Sequence, residues 1–168
     1  MRAVLTRVSS ASVTIDGRVN GQIGTGFLIL LGIGPDDTKK DATKLAEKLL
    51  GLRIFCDEAG KMNLGLESVG GQVLVVSQFT LYGNVRKGRR PSFTGAADPS
   101  LAIPLYEFFL SECARLGYPP QHGEFGADMQ VESVNDGPVT IVVDSSELAQ
   151  IGICKAVGGG VLDAPNLS

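Results

Sequence analysis

The sequence has one histidine, His122, and three cysteines, Cys56, Cys113 and Cys154, with no CxxC pair among them. Thiols that are odd in number and widely spaced argue against a disulfide framework and for free cysteines in a reducing compartment, so a cytoplasmic protein is expected. A single imidazole excludes histidine-rich zinc sites and leaves at most one candidate for a Ser-His dyad. Neither a metal nor another cofactor is expected. No apolar run reaches the ~18 residues of a membrane span, and the opening MRAVLTRVSS lacks the apolar block and cleavage site of a secretory signal. Positive charge is also scarce, with 15 Lys and Arg against 18 Asp and Glu for a net charge of −3. The chain as a whole is therefore not a polyanion binder. The one dense basic cluster is Arg86, Lys87, Arg89 and Arg90 around Gly88. Any nucleic-acid contact must be local, and a partner with one exposed end suits it better than a long duplex.

What is present centres on residues 73–93, VLVVSQFTLYGNVRKGRRPSF. Val73-Leu74-Val75-Val76 reads as a strand buried on both faces. Ser77, Gln78 and Thr80 then follow abruptly, with Phe79 between them. Hydroxyls and an amide at the end of a buried strand must be paired locally or face a cleft, because leaving them unsatisfied is costly. They are either turn formers or the lip of a reaction centre, with the basic loop beside them as an anion-binding edge.

Length gives one domain with room for a core. Residues 2–8 and 10–15 alternate as two strands, and the dipeptides Asp16-Gly17 and Asn20-Gly21 both read as tight turns of a small antiparallel meander. Arg7 falls mid-strand, either as a surface residue or as a partly buried clamp on a carbonyl. The glycines of GQIGTG (21–26) do not have the dinucleotide-binding spacing. FLILLGI (27–33) is a further strand. A helix over 38–51 is expected from Thr38 and Asp41 as a capping box, with Ala42, Leu45, Ala46, Leu49 and Leu50 on one face. Residues 53–64 give a short strand, a turn at Gly60 and a loop. Asp98-Pro99 opens a second helical region in which Pro104 either kinks the helix or begins it; the second is favoured, with Leu105, Phe108, Phe109 and Leu116 as the apolar face. MQVESV and PVTIVV read as two strands joined by Asn135-Asp136-Gly137-Pro138. A Gly-Pro pair leading into a strand is unusual, since proline offers no hydrogen to a ladder. It is either a plain turn or a rigid tip projecting a fixed pair of carbonyls. Residues 145–168, with Gly158-Gly159-Gly160, Pro165 and weak periodicity, read as a loosely attached tail.

Taken together, SQFTLY (77–82), RKGRRPSF (86–93), FGADMQV (125–131) and NDGPVT (135–140) resemble the D-aminoacyl-tRNA deacylase family, with the MRAV start and the RIF segment also similar. The resemblance covers residues 1–144. It implies an α+β fold, with antiparallel and mixed sheets closing into a barrel-like core beside two main helices, assembled as a homodimer. It further implies hydrolysis of the ester joining a D-amino acid, or glycine mischarged on alanine tRNA, to the 3′-terminal adenosine of tRNA, as proofreading in translation. In that family the Gly-Pro bond is cis, and the pair enters the partner subunit's pocket. Here it would be Gly137-Pro138, whose carbonyls would hold the substrate's α-amino group while an L side chain collides with the tip.

The same resemblance casts Ser77, Gln78, Phe79 and Thr80 as the catalytic pocket wall, with N–H groups near Phe79 and Thr80 facing the developing oxyanion. It places Phe125 and Met129 on the adenosine side and has Arg7 steady the Gly-Pro loop. Charge alone assigns Arg86, Lys87, Arg89 and Arg90 to acceptor-end phosphates. Thr80 has no visible base to activate it, and in the family the terminal ribose 2′-OH helps drive hydrolysis, so the protein is expected mainly to position and screen. The tail and the link Gly83-Asn84-Val85 depart from the family pattern. Two rivals remain: a binder of RNA or DNA ends that has lost activity, and a small-ester or amide hydrolase using Thr80 without RNA.

Overall fold

The computed structural model describes residues 1–149. Its spine is β1 (Arg2–Ile15), which changes the face it buries part-way along. Ala3 and Leu5 point toward the helical layer, whereas Val8, Ala11 and Val13 point into a second cluster. The switch coincides with register shifts on either side of Val8, the mark of a bulge. The two strands read from sequence are thus one continuous strand bent at Arg7-Val8, and that bend leaves the Arg7 side chain inside.

At Asp16-Gly17 the chain turns with both φ angles positive, 48° and 74°, and returns as β2 (Arg18–Ile23). Asn20-Gly21, expected to be a second turn, lies inside β2 instead. Asn20 Nδ2 donates to the His122 carbonyl at 2.8 Å. A Cβ on Gly21 would sit 3.1 Å from that same oxygen, so the glycine serves a close strand approach rather than a reversal.

β3 (Gly26–Gly32) pairs antiparallel with β1. α1 (Lys39–Leu50) follows and buries the five apolar residues expected of it. The Asp41 carboxylate accepts from the Thr38 N–H at 2.9 Å and from its hydroxyl at 2.7 Å, which fixes the helix start. The hairpin β4 (Phe55–Cys56) and β5 (Met62–Leu64) leads to β6 (Gln72–Ser77), parallel to β3.

α2 (Pro99–Arg115) starts at Asp98-Pro99 and passes through Pro104, so it does not begin there as expected. Pro104 is exposed, as is Ser100, whose carbonyl it leaves without a helical donor; burial of Ala102, Leu105, Tyr106 and Phe109 around it holds the helix together. β7 (Gln121–His122) lies parallel beside β6, and β8 (Gln130–Asp144) runs antiparallel along nearly the whole of β1. The two strands expected on either side of Gly137-Pro138 are both parts of β8. The chain does not reverse there; it bulges and continues along the same neighbour.

The main sheet runs β2-β1-β3-β6-β7, with β8 on the other side of β1. The Asn20–His122 bond brings β2 to β7, the two ends of that path, and curls the sheet into a nearly closed barrel. Val8, Val13, Ile23, Leu28, Leu74 and Val76 fill its interior, and the two helices cover the outer face through Leu5, Ile29, Leu45, Val75 and Phe109. The α+β barrel-like expectation is met. No described helix is long and apolar enough to cross a membrane. Of the expected tail, Ser145 is buried against Met1, whose carbonyl accepts its N–H at 2.8 Å, and Leu148 packs on the core. Residues 150–168 lie outside the described part.

Candidate active site

β6 reaches the site as a rod, with Val73, Leu74, Val75 and Val76 each no more than 2% exposed. The Val75 carbonyl accepts from the Tyr106 hydroxyl at 3.1 Å and from the Gly123 N–H at 3.2 Å, which ties α2 and the strand edge to it. Burial pushes the Tyr106 hydroxyl well above its ordinary pKa, so it stays a neutral donor. Ser77 ends the strand opposite Leu31, and the Gln78 N–H donates to the Leu31 carbonyl at 2.7 Å. A 3₁₀ turn, Phe79–Tyr82, follows. Its first bond runs from the Leu81 N–H to the Gln78 carbonyl at 3.2 Å, which leaves the N–H groups of Phe79 and Thr80 without an acceptor inside the turn.

The far end of that turn is clamped. Arg2 Nη1 donates to the Leu81 carbonyl at 3.2 Å, and its guanidinium carbon lies 4.6 Å from the centre of the Tyr82 ring. Arg2 is held in turn by Asp144, Nε to Oδ2 at 3.1 Å. Burial pushes the Asp144 carboxyl up, but hydrogen bonds from Ser146 and Arg2 outweigh it and keep it below the usual range. Burial, with Asp37 and Asp144 nearby, raises Tyr82, which is therefore no base. Thr80 Oγ1 has the Gln78 side-chain amide as its partner. An amide cannot take a proton from a hydroxyl, so the nucleophile reading of Thr80 gains no activating group.

Beyond the turn, Asn84 and Ser92 exchange two backbone bonds, 2.7 and 3.0 Å, and close off the basic loop. Arg86, Lys87, Arg89 and Arg90 are all exposed, and among the described residues none of them forms an ion pair. Phe79 and Phe93 meet edge to face with centroids 5.2 Å apart, which joins this loop to the strand end.

The second block is built around Arg7. Only 7% exposed, it donates through Nε to the Asp136 carbonyl at 2.7 Å and through Nη1 to the Ile54 carbonyl at 2.5 Å. The clamp reading of Arg7 holds. Val8 pairs with Asn135 and Thr6 with Thr140, so residues 136–139 form an excursion opposite Arg7. Asn135 closes its base, Oδ1 accepting from the Val139 N–H at 2.9 Å and Nδ2 donating to Thr140 Oγ1 at 3.1 Å. At the tip the Gly137-Pro138 peptide is cis and Gly137 has φ 140°.

These two blocks do not converge within one chain. Arg7 lies opposite Phe27 on β3 and Ser77 opposite Leu31, a separation of about 13 Å at ~3.3 Å per strand residue. Phe125 follows the segment that runs parallel beside β6, two residues past the Gly123 N–H bonded to the Val75 carbonyl; its ring is 5.9 Å from that of Tyr106, and it lines a surface pocket of about 280 Å³ with Asn20, Ile103 and His122. Met129 packs against Gly123 and the barrel interior. His122 is held by the Gly123 carbonyl at 2.7 Å, and no Ser-His-acid arrangement is formed among the described residues. Cys113 is buried, its thiol pushed up to about 12 by burial and the adjacent Glu112 charge, and is inert. Among the described residues, no three or more His, Cys, Asp or Glu side chains come together in a way that could hold a metal ion.

Sequence reasoning missed Arg2, Asn135 and Tyr106. Their partners are Leu81 and Asp144, the strand positions 139 and 140, and Val75, so only the Asn135 contacts are local enough to have been read from an Asn beside a tip.

The family model described as D-Tyr-tRNA(Tyr) deacylase matches residues 4–144. The chain belongs to this family. A D-aminoacyl-tRNA deacylase of Roseiflexus castenholzii is 60% identical over 146 residues, 87% of this chain and 93% of the relative. One from Desulfatibacillum aliphaticivorans is 57% identical over 145 residues, 86% and 99% of the two chains. Among solved structures, a c-Myc DNA unwinding element binding protein shares 42% identity over 86% of this chain and 98% of its own, with a TM-score of 0.79.

Proposed function

We propose that this protein hydrolyses the ester between a D-amino acid and the 3′-terminal adenosine of tRNA, and that it acts as a homodimer. The observation that carries the reading is the tip at Gly137-Pro138, held out from β8 by Arg7 and Asn135, in a chain that belongs to a family of deacylases. The tip lies opposite Arg7, midway along β1, while Ser77 is level with Ala3 near that strand's start, and the outer edge of β8 pairs with no other strand among the described residues. A two-fold pairing along that edge would carry each tip toward the other subunit's strand end. Exposed Val134 and Val142 on β8, 57% and 72%, would be covered by it.

In this arrangement the tip carbonyls accept from the substrate's α-ammonium group and leave no room for an L side chain. Glycine mischarged on alanine tRNA meets no such obstacle and is a second substrate. The N–H groups of Phe79 and Thr80 receive the oxyanion, Phe125 and Met129 line the adenosine side, and Arg86, Lys87, Arg89 and Arg90 meet acceptor-end phosphates. The terminal ribose 2′-OH assists the attack, so Thr80 positions rather than reacts. The cytoplasm, where translation runs, is the expected compartment.

Incubation with D-Tyr-tRNA, L-Tyr-tRNA and a free D-tyrosine ester tests the reading. Cleavage of the first alone is expected, and sedimentation should give twice the chain mass; cleavage of all three, or a monomer with full activity, would overturn it. Thr80→Ala is expected to keep kcat within about tenfold of wild type, the scale of a positioning effect rather than loss of a nucleophile. Neutralising Arg86, Lys87, Arg89 and Arg90 together should raise KM and flatten the salt dependence of kcat/KM, each lost phosphate contact removing roughly 0.7–0.9 from the log–log slope.

The similarity to a c-Myc DNA unwinding element binding protein favours one second reading, a binder of nucleic-acid ends acting through the basic loop. Binding of uncharged ends without cleavage of any of the three esters would select it.

A further inference from the structure

We infer that Phe79 and Phe93, with the basic loop between them, form a stacking platform for unpaired bases of a single-stranded RNA end, next to the nucleotide held at the strand end. The inference deepens the deacylase reading, on which it rests for the identity of the strand bound. In the single chain Phe79 is 55% and Phe93 38% exposed, a conspicuous amount of aromatic surface for adjoining residues. Their rings meet at 74°, and an edge-to-face pair leaves the faces of the edge-on ring uncovered by its partner.

The pair is also held in place. A Cβ on Gly83 would lie 3.1 Å from Phe93 Cε1, so the backbone presses directly against that ring. The two bonds between Asn84 and Ser92 anchor the residue before Phe93. Between these anchors run Arg86, Lys87, Arg89 and Arg90, exposed and without ion pairs among the described residues, in a chain of net charge −3. Arg2, Arg7 and Arg115, by contrast, each face a carboxylate.

Open aromatic faces beside unpaired cations suit one ligand chemistry: a flexible polyanion with flat, apolar faces along it. Single-stranded RNA is such a polymer, its bases stacking on the rings and its phosphates meeting the loop. A second copy of this chain is the other occupant an exposed aromatic pair could take, but four like charges around the pair favour a polyanion.

The test compares two substrates that differ only in the flanking nucleotides. Against full D-Tyr-tRNA, Phe93→Ala is expected to raise KM by roughly five- to a hundredfold with kcat unchanged, the range of one lost base–aromatic stack. Against D-tyrosyl-adenosine, which has no flanking base, the variant should match wild type. Phe93→Trp should restore KM, whereas Phe93→Leu, which keeps apolar bulk and protects the fold, should behave as the alanine variant does. An uncharged fluorescent CCA oligoribonucleotide gives a readout independent of hydrolysis, and its affinity should fall in parallel.

Equal KM for wild type, Phe93→Ala and Phe93→Leu on full tRNA would overturn the platform. So would equal effects on both substrates, or dissociation of a wild-type dimer into monomers on substitution. If the wild-type protein cleaves neither ester yet binds the oligonucleotide in a Phe93-dependent way, the platform stands and the deacylase reading falls.

Discussion

Replacing Arg7 by alanine is expected to lower the unfolding midpoint by about 10 °C and to reduce D-Tyr-tRNA hydrolysis by about a hundredfold or more. The side chain is 7% exposed and gives charge-assisted hydrogen bonds to two carbonyls that belong to different segments, Ile54 and Asp136. Each such bond is worth roughly 1.5–3 kcal/mol, and the carbonyls lose their partner on truncation. A loss of about 3–5 kcal/mol is a large share of the ~5–15 kcal/mol by which a domain is stable. Arg7→Lys should fall between, because one ammonium cannot serve two carbonyls that the guanidinium reaches through separate nitrogens. Thermal unfolding by circular dichroism and single-turnover hydrolysis check the two halves. An Arg7→Ala protein that hydrolyses D-Tyr-tRNA at the wild-type rate would remove the tip from the mechanism.

Gly137→Ala approaches the same contact from the other side. Gly137 has φ 140°, outside the range that L side chains favour, and its added Cβ would lie 2.7 Å from Arg7 Nη2 and 2.9 Å from Val139 Cγ2. A terminal guanidinium nitrogen is ordinarily easy to displace, but Arg7 is buried and fixed by its two carbonyls. The tip must therefore move. We expect a cost of about 1–3 kcal/mol, a fall of at least about tenfold in D-Tyr-tRNA hydrolysis, and a D:L rate ratio reduced with it, since a displaced tip no longer blocks an L side chain. Steady-state rates on both tRNAs decide this. An unchanged ratio would mean that selection resides elsewhere.

Features carried by local pattern were legible in the sequence. The run Val73–Val76 gave a strand buried on both faces, the Thr38–Asp41 pair gave the start of α1, and Arg7 mid-strand was open to the clamp it proves to be. The misreadings share a cause: tertiary contact changes the meaning of a local signal. Asn20-Gly21 is a turn dipeptide in isolation, yet Asn20 finds the His122 carbonyl 102 residues away, and Gly21 makes space for the same strand. Pro104 suggests a helix start until its exposed position shows that the missing bond costs little. Residues 129–134 and 138–143 read as two separate strands because a Gly-Pro pair interrupts a ladder, and only the shared partner β1 makes them one. At the site, SQFT was visible as polar residues after an apolar run, but the Arg2 clamp joins residues 79 and 142 positions apart and left no pattern to find.

The distance between the strand end and the tip within one chain has a genetic consequence under the proposed two-fold pairing. A lesion confined to the tip and a lesion confined to the strand end would spoil different halves of every composite centre. Co-expressed, two such inactive chains would assemble hybrids in which one centre draws both of its parts from undamaged stock. Complementation between alleles, rather than simple additive loss, is the inheritance pattern that the proposed pairing predicts.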